Sequence, residues 1–146
     1  MDLTKQPPRS PYEYLDGYVW LPRLIDKARA YSDGTLGDYH YIACPMNAHL
    51  LHFLAIESDR FAEAVAERPT DQLVLQWVEV HALPHPSDIR EMFNDRFIRF
   101  RGETPAPLFF QTLHDQVAHG QRVNGFFDLL HLDDGRALQS AWPQAA

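Results

Sequence analysis

Runs of apolar residues at helical spacing, each closed within a few turns by proline or glycine, govern what this chain can fold into. Apolar side chains at i, i+3, i+4 and i+7 fall on one stripe of a 3.6-residue helix, and no convincing period-2 run competes with them. Ser10-Pro11-Tyr12-Glu13 reads as a capping box with proline at the first helical position, stopped by Gly17. Pro22 opens a second helix that runs to about Tyr31, with Leu21, Leu24, Ile25 and Ala28 on one stripe and Asp33-Gly34 at its end. A third helix starts near Asn47 and carries Leu50, Leu51 and Leu54. Ser58 caps a fourth with Phe61, Ala62, Val65 and Ala66, which Arg68-Pro69 ends. Thr70 caps a fifth, with Leu73, Val74, Trp77, Val78 and Val80 inward, broken by Pro84 and Pro86. Ser87 caps a sixth, with Ile89, Phe93, Phe97 and Phe100 lined up on one side. The run Arg96–Arg101 also has the alternation of an edge strand, but the longer helical periodicity from Ile89 outweighs it. Gly102 to Pro107 is a turn. A seventh helix then carries Phe109, Phe110, Leu113 and Val117 to Gly120. Asn124 caps a last short helix through Leu130, stopped by Asp133-Asp134-Gly135. Residues 1–9 read as an extended arm and 137–146 as frayed. The expected fold is all-α: a compact single-domain bundle of about seven short helices spanning 1–146.

Size and charge narrow the function. A chain of 146 residues fits one domain and can bury a core without metal or disulfide. A net charge of −7 disfavours nonspecific attraction to nucleic acid or anionic lipid. Cys44 is the single cysteine, so no intrachain disulfide exists, which suits a reducing cytoplasm. The first ten residues lack the apolar core of a signal peptide, and no apolar run approaches the roughly 18 residues of a membrane span. The expectation is a cytoplasmic protein that binds neither nucleic acid nor membrane.

Four constellations bear on chemistry. His40, Cys44, His49 and His52 offer zinc-compatible donors, but no second cysteine completes a closed site, and His49 and His52 lie opposite the leucines of their helix. Cys44 precedes Pro45, and no histidine is assignable as its base. Arg23, Asp26, Lys27 and Arg29 form a charge cluster on the second helix. As a ladder of i, i+3 surface pairs each contact would contribute roughly 0.2–0.5 kcal/mol. As a polar pocket, Asp26 would be a base or anchor and Arg29 would bind an anion, with Tyr39-His40-Tyr41 closing over them. Finally, all six tyrosines precede residue 42, a density suited to a recognition surface. Arg90, Arg96, Arg99 and Arg101 bracket the Phe face rather than forming a basic stripe. No P-loop or dinucleotide fingerprint is present, so no cofactor is expected.

The segments L-T-K-Q-P-P-R-S-P, D-G-Y-V-W-L-P-R-L-I-D-K-A-R-A, G-D-Y-H-Y-I-A-C-P-M-N, F-L-A-I-E-S-D-R-F-A-E-A-V and T-D-Q-L-V-L-Q-W-V resemble the bacterial "domain of unknown function" family numbered 5069. The ending Phe126 to Arg136 is similar to that family too. The family's R-x-I-D-K-A-R element matches Arg23, Ile25, Asp26, Lys27, Ala28 and Arg29. Its C-P-L-D element keeps Cys44 and Pro45, while Met46-Asn47 stand for the usual Leu-Asp. The resemblance implies a small helical bacterial protein and brings no activity with it.

The function expected from the residues is a module binding a small molecule or another protein through Tyr18, Trp20, Asp26, Arg29, Tyr39, His40 and Tyr41. Two other classes stay open. One is a cofactor-free enzyme with Asp26 or His40 as acid/base and Arg29 as anion anchor. The other is a structural or oligomerising subunit that exposes the Phe93/Phe97/Phe100 ridge.

Overall fold

The computed structural model describes residues 1–101 and 107–138. Among them a two-stranded hairpin, β1 (Tyr14–Leu15) and β2 (Tyr18–Val19), precedes α1 (Leu21–Asp33), α2 (Pro45–Leu54), α3 (Ser58–Ala66), α4 (Asp71–His81), α5 (Ser87–Arg99), α6 (Pro107–Val117) and α7 (Phe126–Asp133). Helices dominate, as the periodicity predicts. Proline occupies the first turn of α1 and of α2, and the Thr70 side chain accepts from the Leu73 amide to cap α4. The turn expected at Gly102–Pro107 and the frayed end lie largely outside the described residues.

The first expected helix does not form. The Glu13 amide donates to the Ser10 carbonyl at 3.1 Å, not to its hydroxyl. The Ser10 hydroxyl instead accepts from the Tyr12 amide at 3.1 Å and bonds His131 Nε2. The chain then reverses as a hairpin, pairing Tyr14 with Val19 and Leu15 with Tyr18. Asp16 and Gly17 have φ of 51° and 77°, the two positive values that a tight primed turn requires and that Asp-Gly supplies at little cost. Asn94 of α5 holds this ribbon: its Nδ2 donates to the Gly17 carbonyl at 2.7 Å and its Oδ1 accepts from the Val19 amide at 3.2 Å.

Packing adds detail to three further expectations. The arm of residues 1–9 packs on the helices: Leu3 is buried and its amide donates to the Thr35 carbonyl at 2.9 Å. In α4 only Val74 and Val78 are buried, whereas Val80 is 78% exposed and Leu73 is 40% exposed. That helix packs on α3 along one side, so a narrow i, i+4 stripe suffices. The Phe93/Phe97/Phe100 ridge is no outer patch. Phe97 is buried, Phe93 and Phe100 pack against the core, and Ile89 and Met92 face outward instead.

The core is organised around Trp20, held at φ 74° at the start of α1. Its ring lies 5.5 Å from Phe97 and 5.4 Å from Phe127, and those two rings are 5.0 Å apart. The indole Nε1 donates to Asn47 Oδ1 at 2.9 Å, which satisfies the one polar atom brought inside. Around this triangle α1 packs on α3 and β1, α5 on β2 and α7, and α6 on α7.

Gly125, at the entry to α7, lies where two backbones nearly touch. A Cβ there would meet the Ile98 carbonyl oxygen at 2.8 Å and that of Phe100 at 3.0 Å. Its φ of −174° is extended backbone open to any residue, so the constraint is steric. Gly125→Ala is therefore expected to destabilise the fold by about 1–3 kcal/mol, the cost of overpacking. The shift of the urea midpoint measures it.

Candidate functional site

Residues 21–28 of α1 are buried without a break, so its charged residues cannot form a wet surface ladder. Arg23, Asp26 and Lys27 are 2%, 3% and 4% exposed. Their partners come from far along the chain. Asp26 accepts from Arg9 three times: the backbone amide at 2.8 Å and Nε at 3.1 Å on Oδ2, and Nη2 at 3.0 Å on Oδ1. The same guanidinium spans to Asp71 of α4 at 2.6 and 3.1 Å. Arg23 donates to Asp134 at 2.7 Å and to the Arg9 carbonyl at 3.2 Å. Asp134, whose side chain is wholly buried, also accepts from Arg136 at 2.7 Å and from the Tyr39 hydroxyl at 2.7 Å. The expected i, i+3 pairs of Asp26 with Arg23 and Arg29 are thus replaced by longer-range ones.

The seven predicted residues are held by different sets of partners among the described residues. Tyr39 does close over this helix, but over Arg23, whose guanidinium carbon is 5.8 Å from its ring. Trp20 supports the other side of Arg23 at 5.3 Å. Asp26 is engaged on both oxygens. Arg29 Nη1 donates to the carbonyls of Val65 and Arg68 at 3.2 and 2.8 Å, closing the end of α3. Tyr41 is buried, donates to the Ser58 carbonyl at 2.7 Å and packs at a tilt against Tyr31, with ring centroids 5.0 Å apart. His40 is exposed and contributes its carbonyl to Asn47 Nδ2 at 3.4 Å. Asn47, found where the resemblance leads one to expect aspartate, also donates to the Tyr41 carbonyl at 3.1 Å, which a carboxylate could not do. Asp26, His40 and Arg29 are therefore held on three different sets of partners. Among the described residues no group of three or more His, Cys, Asp or Glu is placed to hold a metal.

Lys27 is buried in a setting that the sequence did not reveal. The Lys27 ammonium lies 5.7 Å from the Trp20 ring. Burial pushes Lys27 below the usual lysine value of 10.5; Arg23 adds to the effect, while Cys44 and Asp134 oppose it.

Tyr18 lies elsewhere, in an open cleft of about 270 Å³ between the hairpin, α4 and the start of α5. Leu54, Val78, Ala82 and Leu83 give it an apolar wall, and Asp16, Glu79 and Arg90 give it charge. The Arg90 guanidinium sits 5.8 Å from the Tyr18 ring, with its Nε buried and without a hydrogen-bond partner among the described residues. His85 closes one side: its ring stacks on Phe53 at 3.7 Å and its Nε2 donates to the Phe53 carbonyl at 2.7 Å. Two other concavities, of about 320 and 350 Å³, are lined by residues 55–81 and 116–136 and include none of the predicted residues.

The family described as Domain of unknown function (DUF5069) matches residues 5–136. The chain belongs to that family. No curated protein matches this DUF5069 chain. No helix among its described residues is long and apolar enough to cross a membrane.

Two outcomes follow from the charges on α1. Asp134→Ala strands the buried Arg23 and should cost about 3–5 kcal/mol, whereas Asp71→Ala at the rim should cost no more than about 1 kcal/mol. Urea unfolding of both variants checks the contrast. Between the lowered Lys27 value and 10.5 the unfolded chain holds a proton that the folded chain has released. Unfolding free energy from this group therefore rises with pH across that window. The native protein should gain stability relative to Lys27→Met as pH is raised toward 10.5, and paired denaturation curves at several pH values would read the change.

Proposed function

We propose that this DUF5069 chain is a binding module for a small zwitterion with an apolar body, such as an apolar amino acid or a short peptide. The supporting observation is the Tyr18–Arg90 cleft. Ligand sites are concave, largely apolar and furnished with a few convergent polar groups. This cleft pairs the wall of Leu54, Val78, Ala82 and Leu83 with one guanidinium and two carboxylates. Arg90 suits a carboxylate, which its fork can engage with charge-assisted hydrogen bonds. Asp16 and Glu79 suit an ammonium and disfavour a purely anionic guest. At about 270 Å³ the cleft is at or below the lower end of typical ligand volumes, roughly 300–1,000 Å³, so the guest is compact. Tyr18 is the member of the predicted recognition surface that contributes here.

Calorimetric titration with leucine, phenylalanine and their dipeptides tests this reading. Binding should weaken about tenfold to hundredfold in Arg90→Gln, and by a similar factor for a C-terminal amide of the same ligand. Circular dichroism establishes that the variant is folded. No heat across the panel, or equal affinity in Arg90→Gln, would defeat the proposal.

A further inference from the structure

We propose that His85 is the ammonium seat of the cleft: its Nδ1 accepts a hydrogen bond from the guest's free amino group, so the guest lies with its amine toward His85 and its carboxylate toward Arg90. This rests on the reading of the cleft given above. It narrows the guests to amino acids and peptides with an unblocked N-terminus.

The His85 ring is held in place before any guest arrives. It lies 3.7 Å from the Phe53 ring at an interplanar angle of 8°, and its Nε2 bonds the Phe53 carbonyl at 2.7 Å. Pro84 and Pro86 flank it in the sequence and restrict the backbone on both sides. A carbonyl oxygen only accepts, so this bond puts the proton of the neutral ring on Nε2 and the lone pair on Nδ1. Among the described residues nothing bonds Nδ1, and it is not one of the buried polar atoms left without a partner. His85 lines the cleft, so Nδ1 is an acceptor still open to a guest.

An acceptor of this kind tells the two ends of a zwitterion apart. A carboxylate offers it no donor, whereas an ammonium carries three. Arg90 is the converse, because a guanidinium only donates, and its Nε is buried without a partner among the described residues. Two rings separate these groups. Contacts run from His85 to Phe53, from Phe53 to Tyr18 at 6.2 Å, and from Tyr18 to the Arg90 guanidinium at 5.8 Å. Asp16 belongs to the Arg90 end, since its carbonyl accepts from Arg90 Nη1 at 3.4 Å. The carboxylates of Asp16 and Glu79 favour a guest that carries a cation, and the fixed lone pair of His85 decides which way that guest lies.

Calorimetric titration at about pH 8, where an imidazole is ordinarily neutral, tests this with leucine, leucinamide and isocaproate, which is leucine without its amine. Each is titrated into the native chain and into His85→Phe, which keeps a flat ring against Phe53 and removes both nitrogens. His85→Phe should weaken leucine and leucinamide by the same factor, roughly tenfold, and leave isocaproate unchanged. An equal loss for all three guests would mean that His85 only supports the lip, and would overturn the inference. Undiminished leucine binding would overturn it too. In either case Arg90-dependent binding of leucine to the native chain would leave the reading of the cleft standing. If no guest binds the native chain, that reading falls and this inference falls with it. Should His85→Phe fail to fold, nitrogen NMR of the native chain decides. The His85 Nδ1 resonance should move on saturation with leucine and stay in place with isocaproate, and a signal that leucine leaves unmoved overturns the assignment.

Discussion

The burial of charge along one helix is the constraint on which this structure depends. α1 carries Arg23, Asp26 and Lys27 into an interior where an unpaired ion is costly. It can remain there only while other segments deliver counter-charges. Arg9 arrives from one flank and Asp134 from the other, and that requirement fixes where both segments lie. Further bonds then tie the same two segments to each other. The Tyr12 hydroxyl donates to Asp128 at 2.5 Å, and Arg136 Nη2 donates to the Pro8 carbonyl at 2.5 Å. His131 Nδ1 donates to the Ala137 carbonyl at 3.0 Å, leaving its other ring nitrogen to accept from Ser10. Such networks are cooperative because each bond orients the next in a medium of low polarity.

The legible part of the fold was local. Proline at the start of α1 and α2, Thr70 before α4 and glycine after α1 act within a turn of their own position, so their effect can be read from neighbouring residues. The hairpin was missed, although Asp16-Gly17 is the dipeptide that two positive φ values favour. The serine and glutamate upstream read as the capping box of a helix instead. It lost because the Ser10 hydroxyl bonds the side chain of His131, 121 residues away. The charges of α1 were illegible for the same reason. A helical wheel assumes one dry face and one wet face, and nothing near Asp26 announces that Arg9 will bind it or that Asp134 will claim Arg23, 111 residues earlier. The predicted recognition surface dispersed because its tyrosines took separate partners: Tyr39 on Asp134, Tyr41 on Ser58, Tyr18 beside Arg90.

The polar regions on either side of Trp20 differ in kind. Along α1 most charged groups are matched and sealed, though Arg23 Nε and Arg29 Nη2 are left without hydrogen-bond partners among the described residues. The hairpin side is open, and there Arg90 keeps a nitrogen without a partner among the described residues. Asn47 and Asn94 mediate between loop and helix in both places. Each supplies an amide that donates to backbone carbonyl oxygen, two for Asn47 and one for Asn94, and a side-chain carbonyl that accepts an indole or main-chain N–H. Neutral side chains with both functions can hold a turn against a core without importing a further charge.

The connection from α4 to α5 is secured at two points. The Leu83 amide donates to the Leu54 carbonyl at 2.9 Å, and His85 lies flat on Phe53 while bonding its carbonyl. The lip of the cleft is thus riveted to the helix beneath it instead of swinging as a flap. Under the proposed reading, a guest would meet a rim whose shape these two attachments already set.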